Sequence, residues 1–390
     1  MSTNIKKKRQ RISKDSEHYV NNAQFLQAIK DHKEKSKKFK SQGKPTPKLS
    51  DYIGECLYLI ATRYATKSNF RSYCVDDQTE ILSDRGWLKY NEIEYNDKVV
   101  SYDQVQKKLV WSSIRNIFID DYVGKMFKMD MQGIDALVTP NHKFITETGI
   151  KPIEMLISSD QIVIHGDSIN DGIGTYSDDF IELVGWAVTE GHYRLGKNKN
   201  YLRISQNEGD KAKRIKKCLL NLNANFKIEK KKNTKQLIFN IKDDLASKIM
   251  DISPNRVLSM KFILSLTQKQ RLHLIETMVS GDDCKVQRNG LECWHYAQKD
   301  KHHMDNFIAL CVLSGLTIMT NLRKQNTSFG YSEYYYSNIY HSSKKTCKFE
   351  SVNLHGGKSK PGGKCGKEYH LNQPTQEYKG KIWCVETEYG

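Results

Sequence analysis

Two sets of residues carry side chains of a kind that could break covalent bonds. The first centres on Cys74, which opens the stretch Cys74-Val75-Asp76-Asp77-Gln78-Thr79-Glu80-Ile81-Leu82, a thiol followed by a polar turn and a strand. A thiol is intrinsically nucleophilic. Cys74 can attack the carbonyl of Tyr73 and turn the preceding amide into a thioester. The departing nitrogen must be protonated, which an imidazole titrating near neutral pH can do. Taken singly, a cysteine in a soluble protein is more often a packed core residue. The second set is a pair of acids, Glu190 and Asp282, 92 residues apart (282 − 190). Each closes an apolar stretch, Leu183-Val184-Gly185-Trp186-Ala187-Val188-Thr189-Glu190-Gly191 and Ile275-Glu276-Thr277-Met278-Val279-Ser280-Gly281-Asp282-Asp283. The same offset relates Ile204-Ser205-Gln206 to Tyr296-Ala297-Gln298, and helical stretches follow at Ala212 to Leu222 and Met304 to Leu313. A repeat of this length implies two pseudo-symmetric halves of one domain.

Three blocks resemble an intein, a self-splicing insert with an all-β Hint domain. They are the Cys74 stretch, Val138-Thr139-Pro140-Asn141-His142-Lys143-Phe144, and Gly380-Lys381-Ile382-Trp383-Cys384-Val385-Glu386-Thr387. Each is modest alone; their order and distances carry the resemblance. It implies that Cys74 is the first nucleophile and that His142 protonates the leaving nitrogen. Thr139 would hydrogen-bond around the scissile group, and Cys384 would assist later steps, with a packed strand cysteine as the alternative. Inteins end in an Asn followed by Ser, Thr or Cys, whereas this sequence stops at Tyr389-Gly390. The expectation is therefore incomplete splicing, or completion by a complementary fragment in trans.

The repeated nonapeptides resemble the motif of LAGLIDADG (DOD-type) homing endonucleases. That implies an α+β domain whose two motif helices pack side by side, with Gly185 and Ala187 allowing close approach. Glu190 and Asp282 would then meet at a shared centre. Carboxylates are hard oxygen ligands suited to Mg²⁺, and bound metal can activate water for phosphodiester hydrolysis. The family also uses a polar or basic residue near the centre, where Lys299, Gln298 and Gln206 fit. The implied partner is double-stranded DNA, the intein-free copy of the host gene. Thr277 and Asp283 stand where the family has small glycines, so a nuclease that binds without cutting stays open.

These residues need elements to position them. Residues 1 to about 18 are a polar arm containing Lys6-Lys7-Lys8-Arg9-Gln10-Arg11. Helical patterns follow over 21–29 and 50–70. Short strand-like runs separated by turn residues occupy Thr79–Leu82, Val99–Tyr102, Ile114–Phe118, Lys125–Met129 and Ala136–Val138. Longer mixed elements then run to about Lys324, and a last strand-like piece covers Lys381–Val385. The predicted fold is multidomain: a short helical segment at 1–73, a Hint part at 74–165, a nuclease at 175–345, a return segment at 346–377 and the start of the second Hint part at 378–390.

The stretches Tyr19 to Ile29, Tyr52 to Ala61 and Asn69 to Tyr73 resemble the start of the late-transcription sigma factor of T4-like phages. That implies a host protein that binds bacterial RNA polymerase, in the cytoplasm of an infected cell. The competing classes are a plain DNA-binding transcription factor and a free-standing nuclease. The formal charge of +17 points to a polyanionic partner. Hydrophobic content of 38% supports real cores. No apolar run approaches the roughly 20 residues of a membrane span. Nine scattered cysteines fit a reducing compartment. Cys347, His355, Cys365 and His370 lack the paired spacing of a zinc site.

Overall fold

The computed structural model describes residues 37, 38, 40–42, 73–131, 134–156, 160–169, 172–194, 200–281, 285–288, 291–327, 330–340, 346–348 and 375–389. The chain divides into two compact units, Met1–Arg71 and Ser72–Gly390. In the first, positions 37, 38, 40 and 41 are helical and 42 is a turn. The helical patterns at 21–29 and 50–70 lie outside the described residues.

The second unit is mostly β, with a few helices and several sheets. It opens with β1 (Val75–Asp76), β2 (Ile81–Ser83), β3 (Gly86–Leu88), β4 (Lys98–Asp103), β5 (Lys108–Ser113), β6 (Asn116–Met131), β7 (Ile134–Val138), β8 (Lys143–Thr146), β9 (Gly149–Pro152) and β10 (Gln161–Val163). A mixed stretch follows: α1 (Asp178–Glu190), β11 (Gly191–Arg194), β12 (Tyr201–Asn207), α2 (Asp210–Asn221), β13 (Phe226–Lys230) and β14 (Gln236–Lys242). It continues through α3 (Asp243–Ile252), α4 (Met260–Ser265), α5 (Gln268–Gly281), β15 (Lys285–Arg288), β16 (Leu291–Gln298), α6 (Lys301–Leu313), β17 (Thr317–Thr327) and β18 (Gly330–Tyr340). The chain returns as β19 (Thr346–Lys348) and β20 (Thr375–Glu386).

The returning strands complete the opening ones. β20 lies antiparallel to β6 from Thr375↔Phe127 to Glu386↔Asn116, and also pairs with β1. β1 pairs in turn with β7, so β1, β20, β6 and β7 close into a barrel. β19 pairs with β10. A β unit split by a different kind of structure is what the change of texture along the sequence predicts.

One difference has a clear cause. The runs read separately at Ile114–Phe118 and Lys125–Met129 belong largely to β6, sixteen residues long. Gly124 would ordinarily weaken a strand there. Instead Tyr122 and Gly124 stand opposite Gly380 and Tyr378. Each tyrosine folds over the glycine two places on: a Cβ on Gly124 would sit 3.0 Å from the Tyr122 hydroxyl, and one on Gly380 would sit 2.6 Å from that of Tyr378. Each hydroxyl then donates to a carbonyl three residues on, Lys125 at 2.9 Å and Lys381 at 2.7 Å. The two rings supply the side-chain contacts that the glycines lack.

The mixed stretch repeats itself. β11-β12-β14-β13 and β15-β16-β18-β17 are two sheets of the same antiparallel order, and α1 packs on α5. A Cβ on Gly185 would lie 2.8 Å from Thr277 Cγ2, and one on Gly281 would lie 2.7 Å from Thr189 Oγ1. Each contact joins a residue to its own equivalent in the repeat, 92 positions on (277 − 185 and 281 − 189). Each helix thus presents a glycine to a threonine of its neighbour, and the methyl of Thr277 is seated on Gly185.

The mixed stretch packs against the β unit. Its core includes Leu82 and Leu109, with Trp87 packed against it. Trp87 Nε1 donates to Asp305 O at 2.9 Å, and Lys301 bridges Glu80 at 3.1 Å and Asp305 at 2.7 Å. Among the described residues, no helix is long and apolar enough to cross a membrane.

Candidate active site

Strand pairing brings three distant segments to the Tyr73–Cys74 peptide. Cys74 precedes β1 and is fully buried, as is Thr139 at the end of β7. The Thr139 hydroxyl accepts from Cys74 N at 3.0 Å and donates to Cys74 O at 3.1 Å, while Thr139 N donates to Cys74 O at 3.0 Å. The turn after Thr139 is closed by His142 N donating to Thr139 O at 2.9 Å. That turn aims the half-buried imidazole back at the peptide, with Nδ1 2.8 Å from Tyr73 O. A carbonyl oxygen only accepts, so Nδ1 carries the proton in this arrangement. Both polar ends of the Tyr73–Cys74 peptide are held: its oxygen by His142, its N–H by Thr139.

The contact at His142 is to the carbonyl oxygen. An imidazole there polarises the carbonyl and faces the oxygen that gains charge when a nucleophile adds. Burial pushes the His142 pKa down to about 4, against the opposing pull of the Tyr73 and Cys74 backbone, so the ring is neutral at pH 7.

Cys384, half-buried on β20, places its sulfur 3.4 Å from that of Cys74. Beside it Trp383 donates from Nε1 to Asp76 O at 3.0 Å and pins β20 to β1. The Cys74 thiol is held well above the ordinary thiol range, first by its hydrogen bond to Cys384, then by burial and by the charges of Cys384 and Asp120. Cys74 thus rests as a protonated thiol. Cys74, Met126, Leu137 and Ile382 form its apolar surround, with Tyr122 and Tyr378 packed against them.

Lys143, next to the imidazole, places its ammonium 4.3 Å from the centre of the Tyr73 ring. The roles of Lys143, Asp120 and the tyrosine pair were not read from the sequence. Only the two Tyr-x-Gly triplets, at 122–124 and 378–380, could have signalled the last.

At the second candidate centre, Glu190 is the last residue of α1 and half-buried. Gly191 follows, and a Cβ there would lie 2.0 Å from Ala187 O, so only glycine lets the helix pass straight into β11. Thr189 and Gly281 touch across the helix pair, which brings the ends of α1 and α5 together. Asp282 and Asp283 lie just past α5, outside the described residues. Gln206 and Gln298 are half-buried on equivalent strands, β12 and β16. Gln298 Nε2 donates to the Tyr296 hydroxyl at 3.1 Å, and that hydroxyl lies 3.0 Å from His303 Nε2. Lys299 is exposed just after β16. Lys211, unread in the sequence, reaches Gly281 O at 3.5 Å, one residue before Asp282. Exposed lysines crowd the β13–β14 turn, Lys230, Lys231, Lys232 and Lys235.

No family model matches this chain. Among curated proteins, it is 28% identical over 93 residues to an ATP-dependent Clp protease proteolytic subunit of Chlamydomonas moewusii, covering 23% of this chain and 9% of that protein. It is 22% identical over 295 residues to a ribonucleoside-diphosphate reductase subunit beta of Aquifex aeolicus, covering 65% of this chain and 41% of that protein. The chain thus spans less than half the length of either relative. Structural neighbours include a mesophilic variant of the homing endonuclease I-DmoI, with TM-score 0.31, 12% identity and coverage of 42% of this chain and 88% of that one. They also include the AceL NrdHF class 3 split intein, with TM-score 0.21, 19% identity and coverage of 23% and 62%. Both scores are below 0.5, so neither likeness fixes the fold.

Proposed function

We propose that this chain is an autocatalytic splicing element of the intein type, carrying a site-specific DNA endonuclease of the LAGLIDADG type. The observation that carries the splicing reading is the bracketing of the Tyr73–Cys74 peptide, with the Thr139 hydroxyl on its N–H and His142 on its oxygen. In the first step the Cys74 sulfur adds to the Tyr73 carbonyl carbon. His142 Nδ1–H stabilises the developing oxyanion, and as the C–N bond breaks the proton given up by the Cys74 thiol passes to the Cys74 nitrogen, which leaves as the free amine. Cys384, against the Cys74 sulfur, is placed to take part in later acyl transfer. Incubating the purified chain with hydroxylamine, which traps thioesters, tests this reading: the expected result is a break between Tyr73 and Cys74.

The nuclease reading rests on the 92-residue repeat and on the helix pair that juxtaposes the ends of α1 and α5. Glu190 and Asp282 would hold Mg²⁺; the half-buried Glu190 carboxylate is an oxygen donor of the right hardness. When bound, the metal would activate water and stabilise the leaving oxygen. Gln298, oriented by Tyr296, and the lysines Lys211 and Lys299 would contact the reacting phosphate. Double-stranded DNA carrying the uninterrupted host gene is the proposed substrate, and specific cleavage of that DNA tests it. We further read residues 1–73 as the start of a phage late sigma factor that binds bacterial RNA polymerase in the cytoplasm. That rests on sequence resemblance alone.

A further inference from the structure

We propose that Cys74 and Cys384 are an oxidative modification site: they close a disulfide that silences the splicing centre until it is reduced. The chemistry needs only the geometry; the functional consequence rests on the splicing reading above. The two sulfurs are 3.4 Å apart, reduced, and separated by 310 positions in the chain. Strand register places them. Asp76 pairs with Ile382 and Val75 with Trp383, so one further step sets Cys74 opposite Cys384. Directly opposed residues of an antiparallel pair have Cα atoms about 4.5–5.5 Å apart. That lies inside the roughly 4.4–6.8 Å that a disulfide spans, and the sulfurs must close by little more than 1 Å to reach the bond length of about 2.05 Å. Trp383 and Ile382, both buried, fix β20 at this point.

The route follows from exposure. Cys384 is half-buried and Cys74 fully buried, so Cys384 meets the oxidant first. With glutathione disulfide as oxidant, the Cys384 thiolate attacks one sulfur, and the displaced glutathione thiolate takes up the proton that Cys384 gave up. The Cys74 thiolate then attacks the Cys384 sulfur of the mixed disulfide and expels the second glutathione, which takes the Cys74 proton. Two cysteine thiols lose two electrons and one glutathione disulfide becomes two glutathione thiols. The main influence holding Cys74 protonated is the Cys384 sulfur, which the mixed disulfide ties up. The resulting bond occupies the sulfur that must attack Tyr73.

The test uses the full chain. It is reduced, exposed to glutathione disulfide, alkylated with N-ethylmaleimide, and followed by intact mass and peptide mapping. The expected result is a Cys74–Cys384 linked peptide that dithiothreitol removes. Cys74→Ser is expected to stop at a glutathione adduct on Cys384. Oxidised chain is expected to break at Tyr73–Cys74 in hydroxylamine at least tenfold more slowly than reduced chain. Unlinked thiols or separate glutathione adducts at both positions in oxidised wild-type chain would overturn the proposal. The two readings fail separately. A link without any break in reduced protein sinks the splicing reading alone; a break without a link sinks the disulfide alone.

Discussion

The two candidate centres are assembled in opposite ways. The proposed splicing centre is made of residues that share no local element: Cys74, Thr139, His142 and Cys384 meet because a four-stranded barrel closes across the mixed stretch. The proposed nuclease centre draws on the ends of α1 and α5, brought together by one helix pair and its glycine–threonine contacts. The first depends on hydrogen-bond register, where a slip of one residue turns side chains to the other face. The second depends on close packing, where one added methyl group is felt. Damage to each should therefore show differently: lost chemistry in the first, lost stability with lost chemistry in the second.

Removing the nucleophile gives the largest expected effect. Cys74→Ala is expected to reduce cleavage at Tyr73–Cys74 by at least about three orders of magnitude while leaving DNA binding unchanged. Cleavage that persists in this variant would break the first half of the comparison. Glu190→Gln is expected to lower DNA strand cleavage by on the order of 100-fold or more with backbone cleavage intact, as read from parallel nuclease and mass assays. Loss of both activities together would show that the centres are not independent. Thr139→Val strips the acceptor from the Cys74 N–H and is expected to slow the backbone break about 10- to 100-fold, since an orphaned buried donor costs about 1–3 kcal/mol.

Much of this was legible in the sequence, for reasons that differ by site. Cys74 and the 139–142 block carry their chemistry in local order, so both could be named before their contact was known. The repeat offset of 92 marked the packed helix pair and the equivalent strands that carry Gln206 and Gln298, because symmetry leaves a trace in spacing. The contact of His142 with the carbonyl oxygen was not legible; it depends on how the turn after Thr139 aims the ring. Nor was the continuity of β6, since the sequence does not say that Tyr122 will fold over Gly124 in its own strand. Thr277 read as a bulky residue in a glycine position, and its seat on Gly185 appears only when both helices are present.

Smaller effects sharpen the packing half. Gly185→Ala puts a methyl group where Thr277 already sits and is expected to destabilise the insertion by about 1–3 kcal/mol in denaturant unfolding. Adding Thr277→Gly should recover most of that loss; no recovery would mean that the helices do not meet there. A further effect is expected in acid. Burial holds His142 and His303 down to about 4, from an ordinary 6.5. The unfolded chain therefore binds protons that the folded chain refuses between these values. The stability from the neutral rings is fully present above pH 6.5 and falls as pH drops toward 4. Thermal midpoints that stay level across that window would contradict the burial of both rings.

The measurement that bears most directly on the account is the intact mass of the reduced, purified chain before and after hydroxylamine. The account predicts two fragments that meet between Tyr73 and Cys74 and that do not form in Cys74→Ala. A chain that folds, resists hydroxylamine and shows no break at that peptide would contradict it.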